Sequence, residues 1–134
     1  MALFCPAGTH YQVFGESKHN TLVFIHGVGL DLNLWQHQVA GLQDKYQIIT
    51  YDLLGHGLSP HTESGLSLET LAQQLYDLLE YRQLKRVHLV GFSLGGLVAR
   101  VFATQYHDRL QSLIIMNSVF DRTRRLRDTI LKRV

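Results

Sequence analysis

Four short apolar runs, each rich in β-branched residues and bounded by turn-formers, punctuate the chain: Thr21–Ile25, Gln47–Tyr51, Val87–Val90 and Leu113–Met116. Continuous apolar runs of this length read as strands buried on both faces. Between them the apolar residues recur at helical spacing. Leu68, Leu71, Ala72, Leu75, Leu78 and Leu79 follow the i, i+3, i+4, i+7 pattern, with Gln73, Gln74, Asp77 and Glu80 on the opposite side and Ser67 at the N-cap position. A second helix is expected from about Asn33 through Trp35 and Val39 to Leu42. A third runs from Leu94 through Leu97, Val98, Val101 and Phe102 to Tyr106. Strand and helix alternate, which predicts an α/β fold: a mostly parallel sheet with flanking helices joined by right-handed crossovers. The piece His10–Gly15 is expected to be an antiparallel edge strand turning back through Glu16–Asn20. No repeat, linker or low-complexity segment divides the chain.

Composition bounds this picture without changing it. A chain of 134 residues with 46% hydrophobic and 18% charged residues can build one core without a staple. The single Cys5 excludes an internal disulfide and a cysteine-based zinc site, and fits a reducing compartment. No stretch approaches the ~18 apolar residues of a membrane span, and the first eight residues carry no charged n-region. A cytoplasmic protein is the expectation.

Charge adds one asymmetry. The net charge of +2 divides into 7 Lys/Arg against 10 Asp/Glu in residues 1–121, and 6 against 1 in residues 122–134. Such a basic tail suits nucleic acid or an anionic membrane. However, no aromatic residue is interleaved with its arginines to stack on bases. Leu126, Ile130, Leu131 and Val134 recur at helical spacing, so the tail reads as the solvated face of a helix starting near Asp121, with no nucleic-acid partner. No G-x-G-x-x-G or G-x-x-x-x-G-K-[ST] pattern occurs, and the eight histidines show no metal-ligand spacing, so neither cofactor nor metal is expected.

The candidate chemistry lies at the carboxyl ends of the strands, where parallel α/β sheets bind ligands. Three of these ends carry a glycine-rich turn: His26-Gly27-Val28-Gly29, Leu54-Gly55-His56-Gly57 and Gly91-Phe92-Ser93-Leu94-Gly95-Gly96. The last contains G-x-S-x-G, falling where an expected strand ends and an expected helix begins, which is the context a nucleophile elbow requires. In such a turn the serine is lifted clear of the sheet, and glycines two residues either side let strand and helix pass closely. The helix N-terminus favours negative charge beside the serine oxygen, making the Leu94 N–H an oxyanion donor. A tetrahedral acyl intermediate needs a second donor, and the Val28 N–H provides one if its loop faces Ser93. The competing structural reading makes Ser93 a helix N-cap on a tight glycine turn. His26 invites assignment as a base, but reads better as a loop brace.

The stretches Leu22–Val28, Tyr51–Ser59 and Val87–Gly96, in that order, resemble the N-terminal half of an α/β-hydrolase fold protein over about residues 10–120. The resemblance implies Ser93 as nucleophile, Val28 and Leu94 as oxyanion donors, and Trp35 as a helix residue near the pocket. His26, Gly27, Trp35 and Phe92 are the expected substrate-binding residues. A serine at the elbow argues against the relatives that use aspartate there, the haloalkane dehalogenases and epoxide hydrolases. Two departures stand out. Leu54 replaces an arginine that often braces the loop after Asp52. Family members also run to roughly twice this length, with the acid and histidine following the serine in chain order, and this chain stops before them.

A serine needs a base. After Ser93 only His107 remains, fourteen residues on, at roughly 20 Å by helical rise and therefore out of reach. His56 and His61 are the nearer alternatives. Asp121 follows the fourth run, where some relatives place their triad carboxylate; it equally suits a cap of the tail helix. The expected organisation is a core-domain portion at residues 1–121 and the start of a cap helix at 122–134. Two functions are compatible with these residues. One is the N-terminal portion of a serine hydrolase acting on an ester or related small carbonyl compound, inactive as this chain alone. The other is a non-catalytic ligand receptor or assembly protein. A strand at the open edge of a half-sheet also predicts self-association.

Overall fold

The computed structural model describes residues 2–62 and 65–117. Strands β1 (Leu3–Phe4), β2 (His10–Phe14), β3 (Thr21–Ile25), β4 (Gln47–Tyr51), β5 (Val87–Phe92) and β6 (Leu110–Met116) form one sheet in the order β1-β2-β4-β3-β5-β6. The β4-β3-β5-β6 part is parallel, while β2 joins β4 antiparallel and β1 joins β2 antiparallel. Helices α1 (Gln36–Leu42), α2 (Leu68–Tyr81) and α3 (Leu94–Gln105) fill the connections.

All five residues of β3 and of β4 are buried, as unbroken apolar runs in a doubly covered sheet must be. Alternate side chains point to opposite faces, which separates two cores. Val23, Ile25, Ile49 and Leu89 meet the apolar faces of α2 and α3, including Leu71, Leu75, Leu78, Val98 and Phe102. Leu22, Phe24, Ile48 and Val90 meet Trp35 and Val39 on the other side. Ser67 caps α2 by accepting a hydrogen bond from the Thr70 amide at 3.0 Å. Burying one Leu or Phe contributes about 1.5–3 kcal/mol, so these two layers carry the fold.

The structure corrects several boundaries. The antiparallel strand near His10 is not at the edge, because the two-residue β1 lies outside it with Leu3 opposite Tyr11. Two residues are too few to show a period. The second helix begins instead as a 3-10 turn at Leu32–Trp35, capped by Asp31, before α1. Strand β5 extends through Phe92. Strand β6 starts at Leu110, three residues before its apolar run, because Gln111 and Ser112 sit on an exposed strand where polar residues cost little. Strand β6 is the least covered: Ile114 is 51% and Met116 42% exposed. Asp121 and the expected cap helix at 122–134 lie outside the described residues.

Candidate active site

The site is built from the chain reversal at the end of β5. Ser93 has φ 56° and ψ −117°, a conformation that costs a non-glycine residue about 1–3 kcal/mol. Close packing imposes it. A Cβ on Gly91 would stand 2.3 Å from the Gly95 carbonyl oxygen, and a Cβ on Gly95 would stand 2.3 Å from that of Ile25, at the end of β3. Both glycines are therefore required by contact, the first between β5 and α3, the second between α3 and β3. The backbone fixes the turn: the Ser93 amide donates to the Met116 carbonyl at 2.9 Å, and the Ser93 carbonyl accepts from the Gly96 amide at 2.9 Å. Ser93 is half-buried and heads α3, whose first N–H groups have no partner within the helix. Leu94 supplies the first of these while its side chain is fully buried.

The loop after β3 lies directly against this turn. A Cβ at Gly27 would come within 3.3 Å of the Ser93 Cβ and 3.2 Å of the Phe92 ring, so the loop passes close beside the serine at this residue. Val28 follows, half-buried and packed on the larger core. Phe92 is half-buried against the smaller core. Trp35 is a core residue, 3% exposed, its ring 4.7 Å from that of Phe24.

His26 is fully buried, and its ring bonds on both sides: Nδ1 to the Gly27 carbonyl at 2.7 Å, and Nε2 accepting from the Leu53 amide at 3.0 Å. Those partners require a neutral ring with its proton on Nδ1. Burial is the main cause that holds its pKa below the ordinary histidine value. His56 makes the matching pair, with Nε2 accepting from the Gly29 amide at 3.1 Å and Nδ1 on the Leu54 carbonyl at 3.1 Å. Both rings are thus committed to the backbone of the loops. His61 is exposed beside Gly55, and His107 lies beyond the far end of α3.

Sequence reasoning missed the group that organises these loops. The Asp52 carboxylate accepts from the Leu32 amide at 2.8 Å, the Leu58 amide at 2.9 Å and His10 Nδ1 at 2.7 Å. Its carbonyl accepts from the Ser59 hydroxyl at 2.7 Å and the Gln74 amide at 3.0 Å. Gly57, at φ 50°, is obligatory because a Cβ there would overlap this carboxylate. The signal was present as the spacing of Asp52, Gly55, Gly57 and Ser59. Gln74 of α2 braces this loop as well, its Oε1 accepting from the Leu54 amide at 3.0 Å.

The site thus brings together a half-buried, strained serine at a strand-to-helix turn, a glycine loop and a helix N-terminus. Residues 20–134 match the family model described as alpha/beta hydrolase fold, and the chain belongs to that family. It is 32% identical over 109 residues to 3-oxoadipate enol-lactonase 2 of Acinetobacter baylyi, covering 81% of this chain and 41% of that protein. The enol-lactonase structure from Burkholderia xenovorans LB400 superposes with a TM-score of 0.82 at 26% identity, covering 88% of this chain and 46% of that one. A marine microorganism esterase gives 0.78 at 28% identity, covering 81% and 41%. The chain spans about two-fifths of the length of the curated relatives it matches.

Proposed function

We propose that this chain forms the nucleophile-bearing portion of a serine hydrolase acting on a small ester, lactone or related carbonyl compound. One observation carries the reading: Ser93 is held at φ 56° between Gly91 and Gly95, with Gly27 packed against it. In the reaction the Ser93 Oγ attacks the carbonyl carbon as a histidine base takes its proton. The oxyanion is held by the Val28 and Leu94 N–H groups, the alkoxide leaves with that proton, and water releases the acyl group by the same route. Gly27 and Phe92 stand beside Ser93 as the proposed substrate contacts, while His26 acts through the loop it braces and Trp35 from the core behind Phe92. The base is proposed to be a histidine other than His10, His26, His56 and His88, which are bonded to Asp52, to loop backbone or to Ser112, and other than His107, which lies beyond the far end of α3. Asp121 is the candidate acid.

Residues 1–134 alone are expected to hydrolyse p-nitrophenyl acetate at the background rate. A chimera joining residues 1–117 to the remaining segment of the enol-lactonase is expected to turn over, and Ser93→Ala to reduce that by about 10³-fold or more. Turnover surviving Ser93→Ala overturns the assignment. A folded, inert chimera favours the non-catalytic receptor.

The exposed face of β6 supports association with a second copy, checked by sedimentation at micromolar concentration; a monodisperse monomer refutes it. Among the described residues no helix is long and apolar enough to cross a membrane, and the lone Cys5 supports a cytoplasmic setting.

A further inference from the structure

His26 and His56 stand in a reciprocal arrangement. Each ring sits at the end of a different strand, His26 after β3 and His56 after β4, with centroids 5.0 Å apart. In each, Nδ1 bonds a carbonyl of its own loop, Gly27 for His26 and Leu54 for His56. Conversely, each Nε2 accepts an amide of the other loop, Leu53 for His26 and Gly29 for His56. The two bonds that cross between the loops both require a neutral ring, since only an unprotonated Nε2 accepts.

We propose that this exchanged histidine pair is an acid-sensitive latch that holds the β3 loop, residues 26–31, against the β4 loop and so positions the Val28 amide beside Ser93. The positional consequence rests on the hydrolase reading; the latch itself does not. Adding a proton to either Nε2 turns an acceptor into a donor facing a backbone N–H, which breaks the bridge. A second proton then meets a cation 5.0 Å away. The other charged groups facing His26 are Asp52 at the end of β4 and Asp31 at the start of the 3-10 turn. Both favour its cation, but the Asp52 carboxylate is already occupied by His10 and by the Leu32 and Leu58 amides. His61 lies nearby, beside Gly55. The pair therefore acts in positioning, through the loop backbone that it ties.

Nitrogen-15 NMR of the whole chain tests this, with hydrogen exchange of the Gly29 and Leu53 amides followed from about pH 7.5 to pH 5. Both rings should show the Nδ1–H tautomer at the upper limit. After correction for intrinsic exchange, protection at Gly29 and Leu53 should fall by about tenfold or more as the pH is lowered, while the Val23 and Leu89 amides in the strands hold theirs. His56→Gln, whose side-chain oxygen can reach the Gly29 amide without titrating, should keep Gly29 protected and flatten its pH response. Rings in the other tautomer, or loop protection that follows the strand amides across the range, would overturn the latch. Labelling of Ser93 by a fluorophosphonate in the active chimera is scored separately. A pH-dependent loop beside an unreactive serine overturns the hydrolase reading alone, and a reactive serine beside an indifferent loop overturns the latch alone.

Discussion

The two walls of the candidate site are held by different physics. The Ser93 turn is fixed by exclusion of volume: Gly91 and Gly95 let three backbones meet, and each contact is with a carbonyl that cannot move aside. Facing it, the loops after β3 and β4 are fixed by polar side chains, namely His26, His56, Asp52, Ser59 and Gln74, each bonded to backbone groups. A wall made by close packing fails when an atom is added. One made of hydrogen bonds fails when an atom or its charge is removed.

The largest effect is expected from Gly95→Ala. Its Cβ would stand 2.3 Å from the Ile25 oxygen and 2.6 Å from the His26 oxygen, so α3 must leave β3. A loss of about 4 kcal/mol or more is expected, read as a fall in the urea midpoint. Asp52→Ala ranks next. It strands the Leu32 and Leu58 amides and His10 at a position only 1% exposed, and about 3 kcal/mol should be lost. Gln74→Leu keeps the volume but orphans the Leu54 amide and removes one of the two donors to the Asp52 carbonyl, for about 1–2 kcal/mol. Ser93→Gly should move the other way, gaining about 1 kcal/mol, since glycine adopts φ 56° without strain. A loss there would mean that what the serine side chain contributes outweighs the strain of its backbone, and would blur the contrast between the walls.

The packed wall was legible in the chain and the polar wall largely was not. Gly91, Ser93 and Gly95 announce themselves because a tight turn leaves few residue choices, and the strands announced themselves because burial on both faces demands unbroken apolar runs. Asp52 carries a fainter mark, its spacing to Gly55, Gly57 and Ser59. Its role depends on Leu32, Leu58 and His10 arriving from three separate elements, which no local pattern encodes. The same holds for Gln74, drawn by period to the polar side of α2 yet 5% exposed in the fold, where it ties the helix to the β4 loop. His26 was readable as a brace from its place in the loop, but its exchange with His56 exists only in three dimensions. Strand β1 escaped because its two residues have no period, and the start of β6 because an open strand tolerates polar residues.

The smallest effect separates the walls most cleanly. His26 titrates below the ordinary histidine value of 6.5 in the folded chain, chiefly because burial disfavours its cation. The unfolded chain therefore binds more protons in that window, and its stability contribution is complete above pH 6.5 and declines as the pH falls toward the folded value. Urea midpoints measured between about pH 8 and pH 5 should show this decline in the parent chain. His26→Gln should remove part of it, while Ser93→Gly should displace the whole curve without changing its shape, because it neither adds nor removes a side chain that titrates in that range. Parallel curves for the parent and His26→Gln would place the acid sensitivity elsewhere and leave the polar wall as insensitive to protons as the packed one.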